Sequence, residues 1–227
     1  SDVYKRQSLN CGRGSRDKKK NVEKNLLLVA EKMKVKRTNL ILMHQTHSNK
    51  VIEIKKDFSR RKVKSDAIIT KNKNIALGVV TADCVPVLIY DKKNKIVGCI
   101  HAGWKGAFSD IIKNTISKIK KGKKQSQIYA SIGPCIGNKS YEVGLDFYKK
   151  FISKSKKNKS YFTFKNKNKK FFNLRKFVCD KLKLQNVKID HVNRDTFKES
   201  HNFFSFRRTS VLKESDYGRC ISVIRLI

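Results

Sequence analysis

The sequence predicts an α+β fold, a single domain in which mixed β-sheets are flanked by helices. Short apolar runs typical of strands outnumber the stretches with helical spacing. The two kinds of segment do not alternate regularly, as a doubly wound α/β fold would require. The length of 227 residues is also enough to bury one sizeable core. We therefore expect one large domain.

Four stretches have apolar side chains at helical spacing. The first, residues 17–35, predicts an amphipathic surface helix for which Ser15 or Asp17 can serve as the N-cap. The second, residues 107–120, carries isoleucines on one helical face. Two further helices are expected at residues 145–152 and 174–184.

Eight short apolar runs predict strands, and several of them are apolar throughout, which indicates burial on both faces. These runs are residues 40–43, 51–54, 67–70, 75–80, 85–90, 96–100, 128–132 and 220–227. The segment 153–170 is rich in Lys, Asn and Ser, and we expect a variable loop or hairpin there.

The first seven residues resemble the translated scar of a sequencing adapter, so they are set apart from the fold. Residues 8–227 are then expected to form the single domain. On this interpretation the natural protein begins further upstream, the domain is truncated at its N-terminus and a first strand is missing.

Basic residues dominate the charge, with 54 Lys and Arg against 18 Asp and Glu and a formal net charge of +36. Such an excess can mark a nucleic-acid partner, because lysine and arginine neutralise phosphates. The lysines are nevertheless spread along the whole chain beside Asn and Ile. An AT-rich genome gives this composition at solvent-facing positions. We therefore expect no nucleic-acid partner.

Cellular location is indicated by three features of the sequence. No apolar run approaches the roughly 20 residues that span a bilayer, and no signal peptide opens the chain. The six cysteines lack the close regular spacing of a secreted disulfide framework. We predict a cytoplasmic protein with free thiols.

Three strand ends carry residues suited to chemistry. His47 follows the run 40–43, Cys84 stands between two strands just before Pro86, and His101 ends the run 96–100. Each residue alone has a structural explanation, since a buried cysteine is often a small hydrophobe and a histidine often forms only a structural hydrogen bond. Together they predict one shared centre.

Two chemistries fit this trio. A thiolate with two imidazoles suits Zn²⁺ and leaves an open coordination position at which a water can be activated. Alternatively, Cys84 is a thiolate nucleophile with His101 or His47 as its base. In either scheme Asp83 could orient a ligand or carry a proton, or it could simply stabilise a turn.

Six sequence strings resemble the YfiH family, also described as laccase-domain or polyphenol-oxidase proteins. The resemblance is collinear over nearly the whole chain. The strings are His-Gln-Thr-His-Ser at 44–48, Ala-Asp-Cys at 82–84, His-Ala-Gly-Trp-Lys-Gly at 101–106, Ile-Gly-Pro-Cys-Ile-Gly at 132–137, Tyr-Glu-Val-Gly at 141–144 and Phe-Ser-Phe-Arg-Arg at 204–208.

This resemblance implies a YfiH-like fold and a metal centre with His47, Cys84 and His101 as ligands. It also implies a purine nucleoside phosphorylase acting on adenosine, inosine and methylthioadenosine, with adenosine deaminase activity as well. A zinc centre with an open position is what zinc deaminases use to attack C6 of adenine. Zn²⁺ is the expected ion and Cu²⁺ the alternative, because the same donors bind copper more tightly.

Substrate contacts are expected from five further residues. A guanidinium fork binds phosphate bidentately, which makes Arg207 and Arg208 candidates for the phosphate site, although both could instead bridge surface carboxylates. Asn10 matches the Ser-Leu-Asn motif of the family, and Gln45 and Ser48 could line the pocket or cap a turn. The partners would be a small nucleoside and phosphate, bound by a monomer.

Two other enzyme classes stay open at this point. One is a copper-dependent polyphenol oxidoreductase of the laccase type, although five histidines cannot supply both a blue-copper centre and a trinuclear cluster. The other is an amidohydrolase with Cys84 as nucleophile, acting in cell-wall precursor editing. A non-enzymatic nucleic-acid binder is supported only by the charge.

Overall fold

The computed structural model describes residues 9–55 and 63–227. It has the expected α+β architecture, in which three sheets are flanked by helices and the two larger sheets are mixed. No helix within these ranges is both long enough and apolar enough to cross a bilayer. The expectation about the first seven residues lies outside the described residues.

The helices and strands of the described ranges are as follows. The α-helices are α1 (Lys19–Lys32), α2 (Trp104–Phe108), α3 (Ile111–Lys120), α4 (Leu145–Lys154), α5 (Leu174–Lys183) and α6 (Phe206–Val211). The strands are β1 (Leu40–His44), β2 (Val51–Glu53), β3 (Val63–Lys64), β4 (Ala67–Thr70), β5 (Ala76–Thr81), β6 (Val85–Asp91), β7 (Ile96–Ala102), β8 (Ile128–Ile132), β9 (Glu142–Gly144), β10 (Phe162–Asn166), β11 (Lys169–Phe172), β12 (Lys188–His191) and β13 (Cys220–Arg225).

The central layer is a six-stranded sheet with the order β12-β8-β6-β7-β4-β2. Alternate side chains of its strands point to opposite faces. On one face, Val87 and Ile100 pack against the isoleucines of α3 and the apolar side of α5. On the other face, Leu88 and Cys99 pack towards the second sheet. Because both faces are covered, these strands are apolar throughout, as their sequence indicates.

The second sheet has the order β13-β5-β1-β3, with β1 parallel to its two neighbours and β13 antiparallel to β5. Its inner face contributes Leu77 and Val79 to the core shared with the six-stranded sheet. Its outer face packs Leu40 and Ala76 against α1. The layers therefore run from α1 through the two sheets to α3 and α5.

The helix predicted at residues 107–120 is divided in the structure into α2 and α3. The break lies at Asp110, whose φ of 67° is left-handed. Aspartate tolerates this conformation, and here its carboxylate binds Lys181 Nζ at 2.6 Å. The apolar spacing continues across the break, which is why the sequence indicated one helix.

The structure refines the local predictions at the first helix, at the segment 153–170 and at several short elements. The first helix has Lys18 rather than Ser15 or Asp17 at its N-cap, because both predicted caps bind the side chain of Asn10 instead. The segment 153–170 does contain a hairpin strand, β10, preceded by a 3-10 helix at Lys156–Tyr161. The strands and the α-helix that were not predicted are short, with six residues or fewer, namely β3, β9, β12 and α6.

Candidate metal centre

The structure brings His47, Cys84 and His101 together at the ends of three strands. Cys84 immediately precedes β6, and the β6–β7 pairing sets Val85 opposite Ala102. One potential ligand atom from each residue of the trio lies within 4.8 Å of the others. His101 is buried, Cys84 is half-buried and His47 is exposed. The centre is therefore open to solvent on the His47 side.

Backbone geometry at the centre is unusual at two positions. His47 and Asp83, which precedes Cys84, have φ values of 59° and 85°. A Cβ at Gly103 would lie 2.8 Å from His47 Cδ2 and 3.0 Å from Cys84 Sγ. Only glycine lets the chain pass so close behind the two side chains, which explains its position after His101.

The carboxylate of Asp66 forms hydrogen bonds with both histidines of the centre. This fully buried carboxylate accepts a hydrogen bond from His101 Nδ1 at 2.8 Å and another from the backbone N–H of His47 at 2.9 Å. The backbone N–H and hydroxyl of Ser48 both donate to it at 2.7 Å. Because Nδ1 of His101 is held in this way, Nε2 is left as the ligand atom, an arrangement typical of metal-binding histidines.

The charges of the centre stabilise one another. Burial by itself would raise the pKa of Asp66, but hydrogen bonds from His101 and Ser48 hold it well below its usual range. Burial likewise opposes the thiolate, yet the imidazoles of His101 and His47 lower the pKa of Cys84 to about 7. In turn the thiolate and Asp66, against the effect of burial, raise the pKa of His101 to about 9.

The donor set fits a zinc ion. A tetrahedral Zn²⁺ with bonds of about 2.3 Å to sulfur and 2.05 Å to nitrogen separates these two atoms by about 3.6 Å. Cys84 Sγ and His47 Nε2 are 3.9 Å apart, which is close to this separation. Three nitrogen and sulfur ligands with an open fourth position are the pattern of catalytic rather than structural zinc.

The other histidines do not join this cluster. All five histidines fall within the described ranges, and the trio is the sole potential metal-binding group found there. His44 is exposed on the wall of the neighbouring cavity, and His191 and His201 are exposed elsewhere. Within the described residues, the imidazoles needed for an additional trinuclear copper cluster are therefore not assembled.

A cavity of about 640 Å³ opens beside the trio and has all three members in its lining. This size is within the usual range for small-molecule sites. The remaining wall comes mainly from β1, the end of β5 and two segments around Gly12 and Tyr217. A ligand in the cavity would thus contact the candidate metal ligands.

Asp83 lies next to Cys84 in sequence, and its hydrogen bonds join distant parts of the chain. Its buried carboxylate accepts hydrogen bonds from the hydroxyls of Thr196 and Ser205 and from the backbone N–H of Arg207. Burial raises its pKa despite these bonds. Asp83 therefore anchors the C-terminal segment to the turn that carries Cys84, and the orienting carboxylate is Asp66.

The two candidate phosphate ligands differ in their surroundings. Arg208 donates to the backbone carbonyls of Thr196, Phe197 and Phe203, so its guanidinium is held by the loop at residues 196–203. The Arg207 guanidinium lies 5.4 Å from the centre of the Tyr141 ring. Neither arginine belongs to the described lining of the cavity.

The other predicted substrate contacts are occupied by structural hydrogen bonds. Asn10 is fully buried, and its Nδ2 donates to Ser15 and Asp17. The side chain of Gln45 pairs with both backbone groups of Val80, joining β1 to β5, while it also lines the cavity. Ser48 supports Asp66.

Asp66 is the functional residue that sequence reasoning missed. It stands one residue before β4, where an acidic side chain has no distinguishing motif. The antiparallel pairing of β4 with β7 carries it beside His101, whose backbone N–H donates to the Asp66 carbonyl at 2.8 Å. A predicted pairing of residues 67–70 with 96–100 would have been the signal.

Comparison of this chain with known proteins identifies a matching family, relatives of similar sequence and solved structures of similar fold. The model of the family described as multi-copper polyphenol oxidoreductase laccase matches residues 1–227. A Rickettsia conorii protein named purine nucleoside phosphorylase is 38% identical over 192 residues, which are 83% of this chain and 79% of that protein. One of the same name from Haemophilus influenzae is 33% identical over 222 residues, covering 96% and 86%. The crystal structure of the Bacillus licheniformis hypothetical protein YfiH superposes with a TM-score of 0.88 at 26% identity, over 98% of this chain and 87% of that one.

Proposed function

This chain belongs to the multi-copper polyphenol oxidoreductase laccase family, and from that premise we propose that it is a zinc-dependent purine nucleoside phosphorylase. The observation that carries the proposal is the convergence of His47, Cys84 and His101 beside a cavity large enough for a nucleoside. The relatives named purine nucleoside phosphorylase support the substrate class. Adenosine, inosine and methylthioadenosine are the proposed substrates, and adenosine deamination is the proposed second activity.

The chain's own residues prepare the centre. Asp66 holds the ring of His101 with Nε2 free and positions the backbone of His47 before any ion binds. With its pKa lowered to about 7, the thiol of Cys84 is partly ionised at neutral pH. Zn²⁺ held by these three side chains would supply Lewis-acid chemistry at that end of the cavity, and Cu²⁺ is the alternative ion.

Phosphorolysis also requires that phosphate and nucleoside meet in one orientation. A phosphate oxygen forms a bond to C1′ of the ribose while the bond from C1′ to N9 breaks. The base leaves with that electron pair and takes up a proton, which in net is the one that monohydrogen phosphate loses on becoming ribose 1-phosphate. The protein must therefore hold a dianion beside the sugar, a contact for which the sequence offers Arg207 and Arg208 as candidates. Monomeric state and cytoplasmic location also stay predictions.

Phosphate-dependent cleavage of inosine is the expected activity. Purified protein with one equivalent of Zn²⁺ should release hypoxanthine and ribose 1-phosphate, and chelator treatment should reduce the rate by at least about 100-fold. Zinc should restore the rate, and replacement of zinc by copper tests the alternative ion. Base release that is independent of phosphate, or a rate that the chelator does not change, would contradict the proposal.

The low pKa of the Cys84 thiol also favours a second candidate, an amidohydrolase with Cys84 as its nucleophile. The two functions differ in how the thiol behaves. As pH rises through about 7, the metal-free protein should become rapidly alkylated by iodoacetamide at Cys84, because the thiolate form is the reactive one. Buried Cys11 and Cys135, with pKa values raised by burial to about 12 and about 11, should react far more slowly.

Metal binding should abolish this labelling. Peptide mass spectrometry of zinc-loaded protein at pH 8 is expected to show Cys84 protected at least about tenfold, since a metal-bound thiolate is not free to attack. Equal labelling of Cys84 with and without zinc, together with the loss of an amidase activity on labelling, would favour the amidohydrolase with Cys84 as nucleophile instead.

A further inference from the structure

We infer that Arg219 is the residue that binds the phosphate group in the cavity beside the metal centre. This inference rests on the proposed phosphorylase function and adds a residue that the family motifs did not single out. Arg219 lines the same cavity as Cys84 and the two histidines. It stands at the end of the segment that leads into β13.

The first argument is the unpartnered guanidinium. Arg219 Nη1 is buried and has no hydrogen-bond partner among the described residues. Leaving a buried charged donor unpaired is costly, so such a group calls for an explanation, for example a ligand that is bound during function. A phosphate oxygen is the acceptor that a guanidinium fork matches best.

The second argument is how firmly this arginine is held. Its backbone N–H donates to Asn10 Oδ1 at 3.0 Å, and its carbonyl accepts from the Cys11 N–H at 3.1 Å. The guanidinium carbon lies 4.5 Å from the centre of the Tyr217 ring. A Cβ at Gly12 would come within 2.8 Å of Arg219 Cδ, so the absence of one lets the stem lie flat on this loop.

This arrangement also assigns an indirect role to Asn10. Its buried carboxamide binds Ser15 and Asp17 through Nδ2 and the backbone of Gly12 and Arg219 through Oδ1. Asn10 thus fixes the loop and the arginine relative to each other. On this inference Asn10 is a positioning residue for the anion ligand.

The third argument is the composition of the cavity wall. The chain has 12 arginines and 42 lysines, yet the described lining contains three arginines and no lysine. Two of them, Arg13 and Arg37, share Glu23 at 2.7 and 3.0 Å, so their charge is partly offset. Arg219 does not share this carboxylate, and its Nη1 has no hydrogen-bond partner among the described residues. The wall is therefore cationic, and Arg219 is the arginine in it whose charge Glu23 does not offset.

The test compares Arg219→Gln with Arg13→Gln, which removes a charge from the same wall but not the unpartnered fork. In the inosine assay at saturating inosine, R219Q should raise the KM for phosphate about 10- to 100-fold, whereas R13Q should change it less than about threefold. Zinc content and the KM for inosine should change little in either variant. Equal effects of the two substitutions, or an increase confined to Arg207→Gln, would overturn the inference.

Direct binding separates this inference from the proposed function. Calorimetric titration with inorganic phosphate should show binding to the wild type and to R13Q but at least about tenfold weaker binding to R219Q. A wild type that binds phosphate through Arg219 but leaves inosine intact would refute the phosphorylase and support this assignment. A wild type that binds no phosphate would refute the assignment.

The conservative variant Arg219→Lys guards against a folding defect. It retains a stem that can pack on Gly12 and keeps the positive charge but loses the planar fork. It should have a thermal midpoint close to that of the wild type and a phosphate KM between those of the wild type and R219Q. If R219Q does not fold, R219K provides the test by itself. In that case, a KM for phosphate in R219K equal to that of the wild type would count against bidentate phosphate binding.

Discussion

Replacement of Cys84 by serine should abolish stoichiometric zinc binding and reduce inosine phosphorolysis to background. Serine is nearly isosteric, but its hydroxyl stays protonated at neutral pH and does not provide the anionic sulfur ligand that zinc selects. The loss of zinc affinity should exceed the roughly 10- to 100-fold typical of changes outside the ligand shell. Metal analysis after dialysis, with the phosphorolysis rate, measures both effects.

Cys179→Ser is the matched control for this substitution. Cys179 is also a half-buried free cysteine, but it lies on α5 and forms no part of the trio. The control should keep its zinc and its rate. Circular dichroism and the thermal midpoint of the metal-free forms should be similar for both variants. A Cys84→Ser protein that retains one zinc and full turnover would show that the trio is not the ligand set.

Replacement of Asp66 by asparagine should have the second largest effect, lowering zinc affinity about 10- to 100-fold. The carboxylate accepts from His101 Nδ1 and from the backbone N–H of His47, so it orients the ring of His101 and positions the backbone of His47. An asparagine amide group would turn a donor towards some of these donors, and the ring of His101 would lose its fixed orientation. Competition with a chelator of known affinity measures the change.

Stability should fall in the same variant, by about 2–4 kcal/mol, because buried donors lose their acceptor. Asp91→Asn provides the comparison. Asp91 is likewise fully buried and accepts backbone hydrogen bonds, from Lys93 at 3.1 Å and Gln127 at 3.2 Å, but it lies at the far end of β6 from Cys84. Asp91→Asn should therefore lose stability without losing zinc affinity. Equal zinc affinity in the two variants would reduce Asp66 to a structural residue.

The layered fold follows from patterns that the sequence displays directly. Strands such as β6 and β7 are apolar on both faces because helices cover one face and a second sheet the other, so their sequences already indicate a central position. Short edge strands such as β12 escaped prediction, because three of its four residues are polar and exposed. Their pairing is decided by neighbours rather than by their own pattern.

The sequence by itself determined the α+β class and the grouping of His47, Cys84 and His101, because each of these residues lies at or near the end of a strand that is recognisable by its composition. Only the tertiary structure decided which polar groups serve them. Asp66 meets His101 across a separation of 35 residues, and Asn10 meets Arg219 across 209. Periodicity reports which face of an element is buried, but not which distant side chain a buried donor or carboxylate will meet. That choice depends on strand pairing and loop packing, which exist only in the folded chain.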